Sequence, residues 1–424
     1  MRKSENGISV FPREYGSMNA NARELAARFD IEKLTAEFYA DPYPTYRALR
    51  QHEPVKRMPN GSYFLTRYDD LLTAYKNTKA FSSDKKKEFA PKYGASLLYE
   101  HHTTSLVFND PPAHTRVRRL IMGALSPRAI AGMEPDLIAL VDRLLDAIAA
   151  KGDVDLIEDF AAAIPIEVIG NLLDVPEVER APLRGWSLAI LGALEPVIGA
   201  EAFARGNSAV DDFLGYLKIL VARRRAKPGN PDRDVLTRLI QGEDNGERLT
   251  EKELLHNCIF LLNAGHETTT NLIGNGLVAL SAHPTEKKRL IENPGLIKTA
   301  VEEILRFESS NQLGNRMTTE PVELSGVTMP AGTSVTLCIG AANRDPAQFA
   351  DPERLDIGRT PNRHLAFGTG AHQCAGMALA RLEGAIAISR YLARFPAYTL
   401  KGPPVRGGRA RFRGFLSVPS VVGG

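Results

Sequence analysis

Apolar residues recur at helical spacing along most of the chain. The segments 24–50 and 115–226 place them three and four positions apart, as in the Ala- and Leu-rich stretch 133–148. Two shorter stretches, 54–66 and 321–339, are bounded by Gly and Pro and have the features of strands. No internal repeat and no long linker divides the chain. The pattern predicts a mainly α fold with a small β portion.

A capping box marks the start of one long helix. In the sequence Thr250-Glu-Lys-Glu253, the Thr oxygen can accept from the backbone N–H three residues on, while Glu253 reaches back. The next proline is Pro284, so the helix can run for about 30 residues, or about 45 Å. Its first half is apolar on most sides, which predicts a helix buried in the middle of the protein.

An acid and a hydroxyl interrupt the apolar part of this helix. Ala264 and Gly265 are small enough to admit a flat ligand, and Glu267 and Thr268 follow them. Burying these two polar groups without partners would cost several kcal/mol, so we interpret them as a proton-delivery pair beside a notch. Thr268 can also bond the carbonyl four residues earlier. The alternative is a solvated helix face; a zinc-protease motif is excluded because Thr270 stands where its second His would be.

A glycine-rich loop over 367–376 carries Cys374 into an Ala-rich helical stretch. Glycines permit a tight turn against a cofactor face, and a helix N-terminus stabilises a thiolate. Gln373 breaks a dinucleotide-binding fingerprint, and no second Cys pair is near enough for zinc. Cys374 is therefore a candidate axial metal ligand, the alternative being an inert core cysteine.

A third motif, Glu303-Ile-Leu-Arg306, follows a helix start at Asn293-Pro294. The i, i+3 spacing puts the acid and the guanidinium on one helix face. Exposed pairs of this kind are common and contribute little, so the motif is weak evidence alone.

The composition is that of a globular protein without a nucleic-acid or membrane partner. The chain has 424 residues, 43% of them hydrophobic and 24% charged, and its formal net charge is +3. No apolar run is long enough to span a bilayer, and the first residues show no signal sequence. The basic run 406–413 superficially looks like an RNA-binding segment, but we discount it. Three cysteines do not form a disulfide framework, so we expect a cytoplasmic protein. We also expect a monomer.

Taken together, the three motifs resemble those of the cytochrome P-450 family of haem-thiolate monooxygenases, and in particular its soluble bacterial members. The family's cysteine loop, F-G-x-G-x-H-x-C-x-G, is matched over 367–376. The resemblance extends from 110–118 to 414–419. It implies a single cytochrome P-450 domain over 1–424, with a long central helix over the haem and a disordered N-terminal segment over 1–20.

The resemblance also assigns roles to residues. Cys374 would ligate the iron of haem b, and His114, Arg118, Arg316 and His372 would hold its propionates. Other cofactor-binding residues would be Ala264, Phe367, Gly368 and Gly376. Thr268 and Glu267 would be catalytic. Glu303, Arg306 and Arg354 would form a structural cluster that supports the cysteine loop. Expected substrate contacts are Tyr93, His102, Val107, Phe260, Asn263, Gln312 and Leu313.

The implied reaction inserts one atom of O2 into a small or medium apolar substrate. Hydrogen bonds to a polar group of the substrate would come from Asn263, His101, His102 and Gln312. The chain has no Rossmann fingerprint, so electrons from NAD(P)H would arrive through a ferredoxin reductase and a ferredoxin. We expect the ferredoxin to dock near Arg116 and Arg119. The alternatives are a haem-based sensor or gas-binding protein and a peroxide-driven oxygenase.

Overall fold

The computed structural model describes residues 18–231, 234–242, 246 and 248–423. Residues 1–17 of the segment expected to be disordered lie outside the described residues. The rest of that segment is helical, because a helix begins at Met18. The α-helices are α1 Met18–Arg28, α2 Ala36–Ala40, α3 Tyr43–His52, α4 Tyr68–Lys76, α5 Lys86–Tyr93, α6 Leu97–Thr104, α7 Ala113–Ala124, α8 Pro127–Lys151, α9 Ala163–Leu172, α10 Leu183–Gly192, α11 Ala200–Ala226, α12 Val235–Gln241, α13 Glu251–Ala282, α14 Pro284–Glu292, α15 Ile297–Phe307, α16 Ile339–Ala342 and α17 Met377–Arg394.

Short strands form four small sheets. The strands are β1 Val55–Arg57, β2 Tyr63–Leu65, β3 Phe81–Ser82, β4 Asp153–Asp155, β5 Leu313–Thr318, β6 Val322–Leu324, β7 Val327–Met329, β8 Ser334–Cys338, β9 Thr399–Leu400, β10 Val405–Arg406, β11 Phe415–Ser417 and β12 Pro419–Val421. The largest sheet has the order β1-β2-β8-β5-β3, and only its β2–β8 pair is parallel. The others are β10-β11, β4-β12-β9 and β6-β7.

The long helix α13 confirms the capping-box prediction. It has 32 residues. The backbone N–H of Glu253 donates to Thr250 Oγ1 over 3.2 Å, and the N–H of Thr250 donates to Glu253 Oε2 over 2.9 Å. Its apolar side chains belong to the largest core cluster, and it packs against α9, α10, α11, α15 and α17. The helix therefore runs through the core, as its all-round apolar pattern indicates.

The predicted strand regions contain β1 and β2 in the first and β6, β7 and β8 in the second. The prediction of helix over 115–226 missed β4, whose partner β12 lies near the C-terminus. A strand of three residues has too short a pattern to be recognised without its partner. Among the described residues, no helix is both long and apolar enough to cross a membrane.

Candidate active site

A cavity of about 350 Å³ lies where α13, β5, α7 and the loop before α17 meet. Its wall is mostly apolar, and it holds the chemistry-bearing side chains of several distant segments. All nine residues expected to bind the cofactor line it, namely His114, Arg118, Ala264, Arg316, Phe367, Gly368, His372, Cys374 and Gly376.

The loop that carries Cys374 is shaped by two glycines with positive φ. Gly368 has φ +60° and Gly370 has φ +73°, and a Cβ on Gly370 would lie 2.8 Å from the carbonyl oxygen of Tyr75. The backbone N–H of Cys374 donates to the carbonyl of Phe367 over 2.9 Å, which closes the loop. Cys374 is exposed and lines the cavity. Burial raises the pKa of its thiol, and the Gly376 N–H and two nearby guanidinium groups oppose that rise.

Four basic side chains crowd one side of the cavity. The rings of His114 and His372 lie 3.9 Å apart, centroid to centroid. Both ring nitrogens of His114 and the Nε of Arg316 are buried without a hydrogen-bond partner. Arg118 donates to the carbonyl of Gln373 over 2.6 Å. Burial, together with the positive charge of Arg118, lowers the pKa of His114 to about 4.

This cluster of basic side chains fits a bound dianion, because buried cations and unpaired N–H groups are stable only with anionic partners. The two propionates of haem supply such a dianion, and Cys374 supplies the sulfur that haem iron accepts. The residues present therefore fit haem. In that arrangement His114, Arg118, Arg316 and His372 would hold the propionates and Cys374 the iron.

Thr268 lines the same cavity from α13, as do Ala264 and Gly265. The Thr268 hydroxyl donates to the carbonyl of Ala264 over 2.6 Å, which is the predicted local bond. Ala264 is exposed at the cavity wall. A Cβ on Gly265 would lie 2.4 Å from Ile169 Cδ1, so this glycine admits a side chain of α9.

Glu267 does not line the main cavity. Successive helical residues point about 100° apart, and Glu267 faces a separate chamber of about 20 Å³. Its Oε1 accepts from Arg409, and its buried Oε2 has no partner. Burial raises the pKa of Glu267 to about 7, although Arg409 acts in the opposite direction. The resemblance placed the acid and the hydroxyl together, but only Thr268 faces the main cavity.

Five of the seven expected substrate residues line the main cavity, namely His102, Val107, Phe260, Asn263 and Leu313. The other two, Tyr93 and Gln312, lie outside its lining. The Tyr93 hydroxyl donates to the carbonyl of Ala193 over 2.6 Å, and the Gln312 amide donates to the carbonyl of Ser309 over 2.7 Å. Both side chains are thus turned toward the backbone.

Glu303 and Arg306 form the expected pair, but Arg354 does not join it as expected. Arg306 donates to both carboxylate oxygens of Glu303, over 2.7 and 2.8 Å, and both side chains are fully buried. The third member of the cluster is Arg359, whose guanidinium Nε lies 3.1 and 3.2 Å from the Glu303 oxygens. Arg354 offers its carbonyl oxygen to Arg306 over 3.1 Å. Arg359 takes the place expected for Arg354 because the loop turns this side chain, five positions after Arg354, toward Glu303.

A second acidic cluster, which the sequence analysis missed, supports the cysteine loop from the same helix. Glu302 accepts from Arg381 over 2.6 and 2.9 Å and lies 3.1 Å from His364 Nε2. The Arg381 guanidinium lies 4.7 Å from the centre of the Phe367 ring. The segment before the cysteine loop is therefore held to α15 at two adjacent residues, at Glu303 by Arg359 and at Glu302 by His364. The sequence gives the adjacency of these two acids but not the partners they find.

Comparison with known proteins shows the family. A model of the family described as Cytochrome P450 matches residues 193–406. The biotin biosynthesis cytochrome P450 of Bacillus subtilis (strain 168) is 38% identical over 371 residues, covering 86% of this chain and 92% of the relative. The vitamin D(3) 25-hydroxylase of Pseudonocardia autotrophica is 39% identical over 372 residues, covering 87% of this chain and 89% of the relative.

Solved structures agree. The structure of P450BioI in complex with an acyl carrier protein ligated to hexadec-9Z-enoic acid matches with a TM-score of 0.87 and 35% identity, covering 92% of this chain and 99% of that one. CYP267B1, a myxobacterial cytochrome P450 in complex with myristic acid, matches with a TM-score of 0.84 and 35% identity, covering 92% and 98%. The cysteine loop, the basic cluster and the matched fold together show that this chain belongs to the cytochrome P450 family and is a haem-thiolate monooxygenase.

Proposed function

We propose that this monooxygenase oxidises a small or medium, mainly apolar organic molecule with electrons that a ferredoxin and its NAD(P)H-dependent reductase deliver. The observation that carries the proposal is that one largely apolar cavity contains both Cys374 and Thr268. Oxygen activation needs a sulfur ligand to the iron and a hydroxyl near the cofactor, and the main cavity contains both. Haem bound there supplies the activation of O2, so that one oxygen atom enters the substrate and the other leaves as water.

Thr268 positions the proton donor in this scheme. Because its hydroxyl hydrogen is given to the Ala264 carbonyl, its oxygen lone pairs can accept a hydrogen bond from a water in the cavity. A hydroxyl fixed in this way can hold a water beside the cofactor face of the cavity. Replacing it with Ala removes the acceptor without changing the apolar wall.

Glu267 is proposed to relay protons from solvent. Its Oε2 has no partner, so this is the atom that carries the proton, while Oε1 accepts from Arg409. A chamber of about 20 Å³ holds about one water. A carboxyl with a pKa near neutrality both takes and releases a proton at physiological pH. Glu267 is thus proposed to exchange protons with solvent in its own chamber, and Thr268 to hold a water in the main cavity.

The electron donor is expected to dock near the cysteine loop. Arg116, one of the two arginines predicted to guide it, is already ion-paired with Glu253. Arg381 on α17 is also ion-paired, with Glu302, and its side chain keeps 39% of its surface exposed. An acidic ferredoxin would meet positive charge at this face, which steers association.

The proposal is tested by reconstituting the holoenzyme with a ferredoxin, its reductase and NADPH. Organic compounds are first screened for those that shift the haem to high spin, and turnover is then measured as product, NADPH consumed and peroxide released. We expect product with the ferredoxin system, and in Thr268→Ala a lower yield of product per NADPH with more peroxide. Unchanged yield in Thr268→Ala would contradict the role given to that hydroxyl.

Thr103→Ala is the matched control. The Thr103 hydroxyl donates to the carbonyl of Tyr99 over 2.7 Å, the same four-residue bond as in Thr268, but Thr103 does not line the main cavity. This variant should keep the wild-type yield. Steady turnover with peroxide and none with reduced ferredoxin would favour the peroxide-driven alternative. A haem protein that binds gases but oxidises no compound of the screen would favour the sensor.

A further inference from the structure

One cationic side chain in the cavity wall is not explained by haem binding. Arg411 lines the main cavity from the segment between β10 and β11. It lies outside the group of basic residues that the family motifs assign to the propionates. Its surface is half-buried, and burial lowers the pKa of its guanidinium.

The guanidinium is held in place by neutral acceptors. Its Nε donates to the carbonyl of Leu194 and its Nη1 to the carbonyl of Leu313, each over 3.0 Å, and its Nη2 donates to Asn315 Oδ1. These bonds use three of the five guanidinium hydrogens. Arg411 is therefore fixed in orientation while two N–H groups remain available.

No carboxylate in the described part of the chain forms an ion pair with this guanidinium. The nearest acid along this segment, Glu195, accepts instead from the backbone N–H groups of Ala410 and Arg411, over 2.8 to 3.3 Å. A half-buried guanidinium whose direct hydrogen-bond partners are all neutral is costly, because the Glu195 and Glu88 carboxylates offset only part of its lost hydration from a distance. An anionic ligand would remove that cost.

Charges of both signs surround Arg411 at this end of the cavity: Lys92 adds a positive charge, and Glu88 and Glu195 oppose it. Lys92 donates to the carbonyl of Glu195 over 2.6 Å, and burial followed by the charge of Arg411 lowers the pKa of Lys92 to about 8. Burial lowers the pKa of His102 to about 3, with Lys92 and Arg411 contributing, so this imidazole is neutral at pH 7. His102 can then serve as a neutral hydrogen-bonding group beside the cation, because it also lines the cavity.

We propose that Arg411, assisted by His102, binds a carboxylate group of the substrate and so selects apolar molecules that carry an acid. A guanidinium recognises a carboxylate through paired N–H···O bonds, and the apolar wall takes the hydrocarbon body. The inference rests on the proposed function, since it names the class of molecule which that cavity oxidises. A haem propionate offers the same carboxylate chemistry, so the test must separate the two sources.

The test measures dissociation constants of the holoenzyme from the haem spin-state shift. The probes are dodecanoic acid, dodecan-1-ol and methyl dodecanoate, which share a chain and differ at one end. We expect the acid to bind the wild-type enzyme about tenfold or more tighter than the alcohol and the ester. Equal affinities, or no binding of the acid, would overturn the proposal without any variant.

The variants locate the effect. Arg411→Gln should abolish the preference for the acid while leaving affinity for the alcohol within about twofold, and Arg411→Lys should retain part of the preference. Arg205→Gln, which removes an exposed arginine paired with Glu201, is the matched control and should keep the full preference. A preference that survives in Arg411→Gln would also overturn the proposal.

Transfer of haem to apomyoglobin separates the two carboxylate sources. If Arg411 held a propionate, Arg411→Gln would lose haem faster than the wild type and the wild type would not prefer the acid; that pair of results overturns the assignment. Unchanged haem transfer together with a lost acid preference supports it. A failure of the proposed function looks different, because the reconstituted ferredoxin system would then give no product from any compound of the screen, whatever the acid preference in the spin-state shift.

Discussion

The buried pair of Glu303 and Arg306 predicts a large loss of stability in Arg306→Met. The Arg306 guanidinium donates five hydrogen bonds of 2.7 to 3.1 Å, two to Glu303 and one each to the carbonyls of Asn343, Pro352 and Arg354. Methionine fills similar space but donates none of them. One buried carbonyl, that of Asn343, and two partly buried ones lose a donor, while Glu303 keeps Arg359, so the charge is not left wholly unpaired.

The magnitude follows from these partners. Each buried polar group left unsatisfied costs about 1 to 3 kcal/mol, and breaking a buried ion pair costs about 3 to 5 kcal/mol in total. We therefore expect the free energy of unfolding to fall by about 4 kcal/mol in Arg306→Met. Urea unfolding, followed by far-ultraviolet circular dichroism and by haem absorbance, measures it.

A surface pair provides the control for this experiment. Arg394 and Asp146 lie 3.5 Å apart with side chains 55% and 75% exposed, so Arg394→Met should cost at most about 1 kcal/mol. If Arg306→Met cost no more than Arg394→Met, the argument from buried donors would be refuted.

Three further predictions concern the same machinery. Arg359→Met should destabilise the protein and weaken haem retention, whereas Arg354→Met should do neither, because only Arg359 directs its guanidinium at the buried acid; thermal unfolding and haem loss measure both. Burial raises the pKa of Glu383 from 4.5 to about 8, so the folded state keeps a proton there that the unfolded chain releases, and stability falls as pH rises through that window. Glu383→Gln should therefore gain stability over the wild type by about 1.4 kcal/mol per pH unit within it. Gly370→Ala should weaken haem retention, because a Cβ at φ +73° would also press on the carbonyl of Tyr75.

Each of these predictions has an opposing outcome. Equal losses of stability in Arg354→Met and Arg359→Met would contradict the assignment of Arg359 as the second arginine that contacts Glu303. A stability gain in Glu383→Gln that does not change with pH would mean that the carboxyl is not protonated in the folded state. Gly132→Ala is the control for Gly370→Ala, since Gly132 lies inside α8 with open space around it and its replacement should be neutral or slightly stabilising.

Hydrogen bonds between near neighbours in the chain could be predicted from the sequence. The capping box at Thr250, the bond from Thr268 to Ala264 and the closed loop around Cys374 each involve residues within seven positions of one another. Short-range bonds of this kind depend on residue type and spacing, which a single sequence contains. The same holds for the all-round apolar pattern that predicted the buried course of α13.

Partners brought together by tertiary structure were not predictable in the same way. Arg359 lies 56 residues from Glu303, and Arg381 lies 79 residues from Glu302. Spacing alone does not say which guanidinium of a basic loop reaches a given acid. Arg411 was hidden for a related reason, because its run of basic residues looks like a surface segment until the fold turns it toward the cavity.

The measurement that tests the central claim most directly is the carbon monoxide difference spectrum of the reduced protein. The wild type should show the red-shifted band of thiolate-ligated haem, and Cys374→His should replace it with the band of a histidine-ligated haem. Cys258→Ser, which changes a buried cysteine away from the loop, should leave the wild-type band in place. A wild-type protein that binds haem but lacks the thiolate band, or a Cys374→His protein that keeps it, would contradict the account.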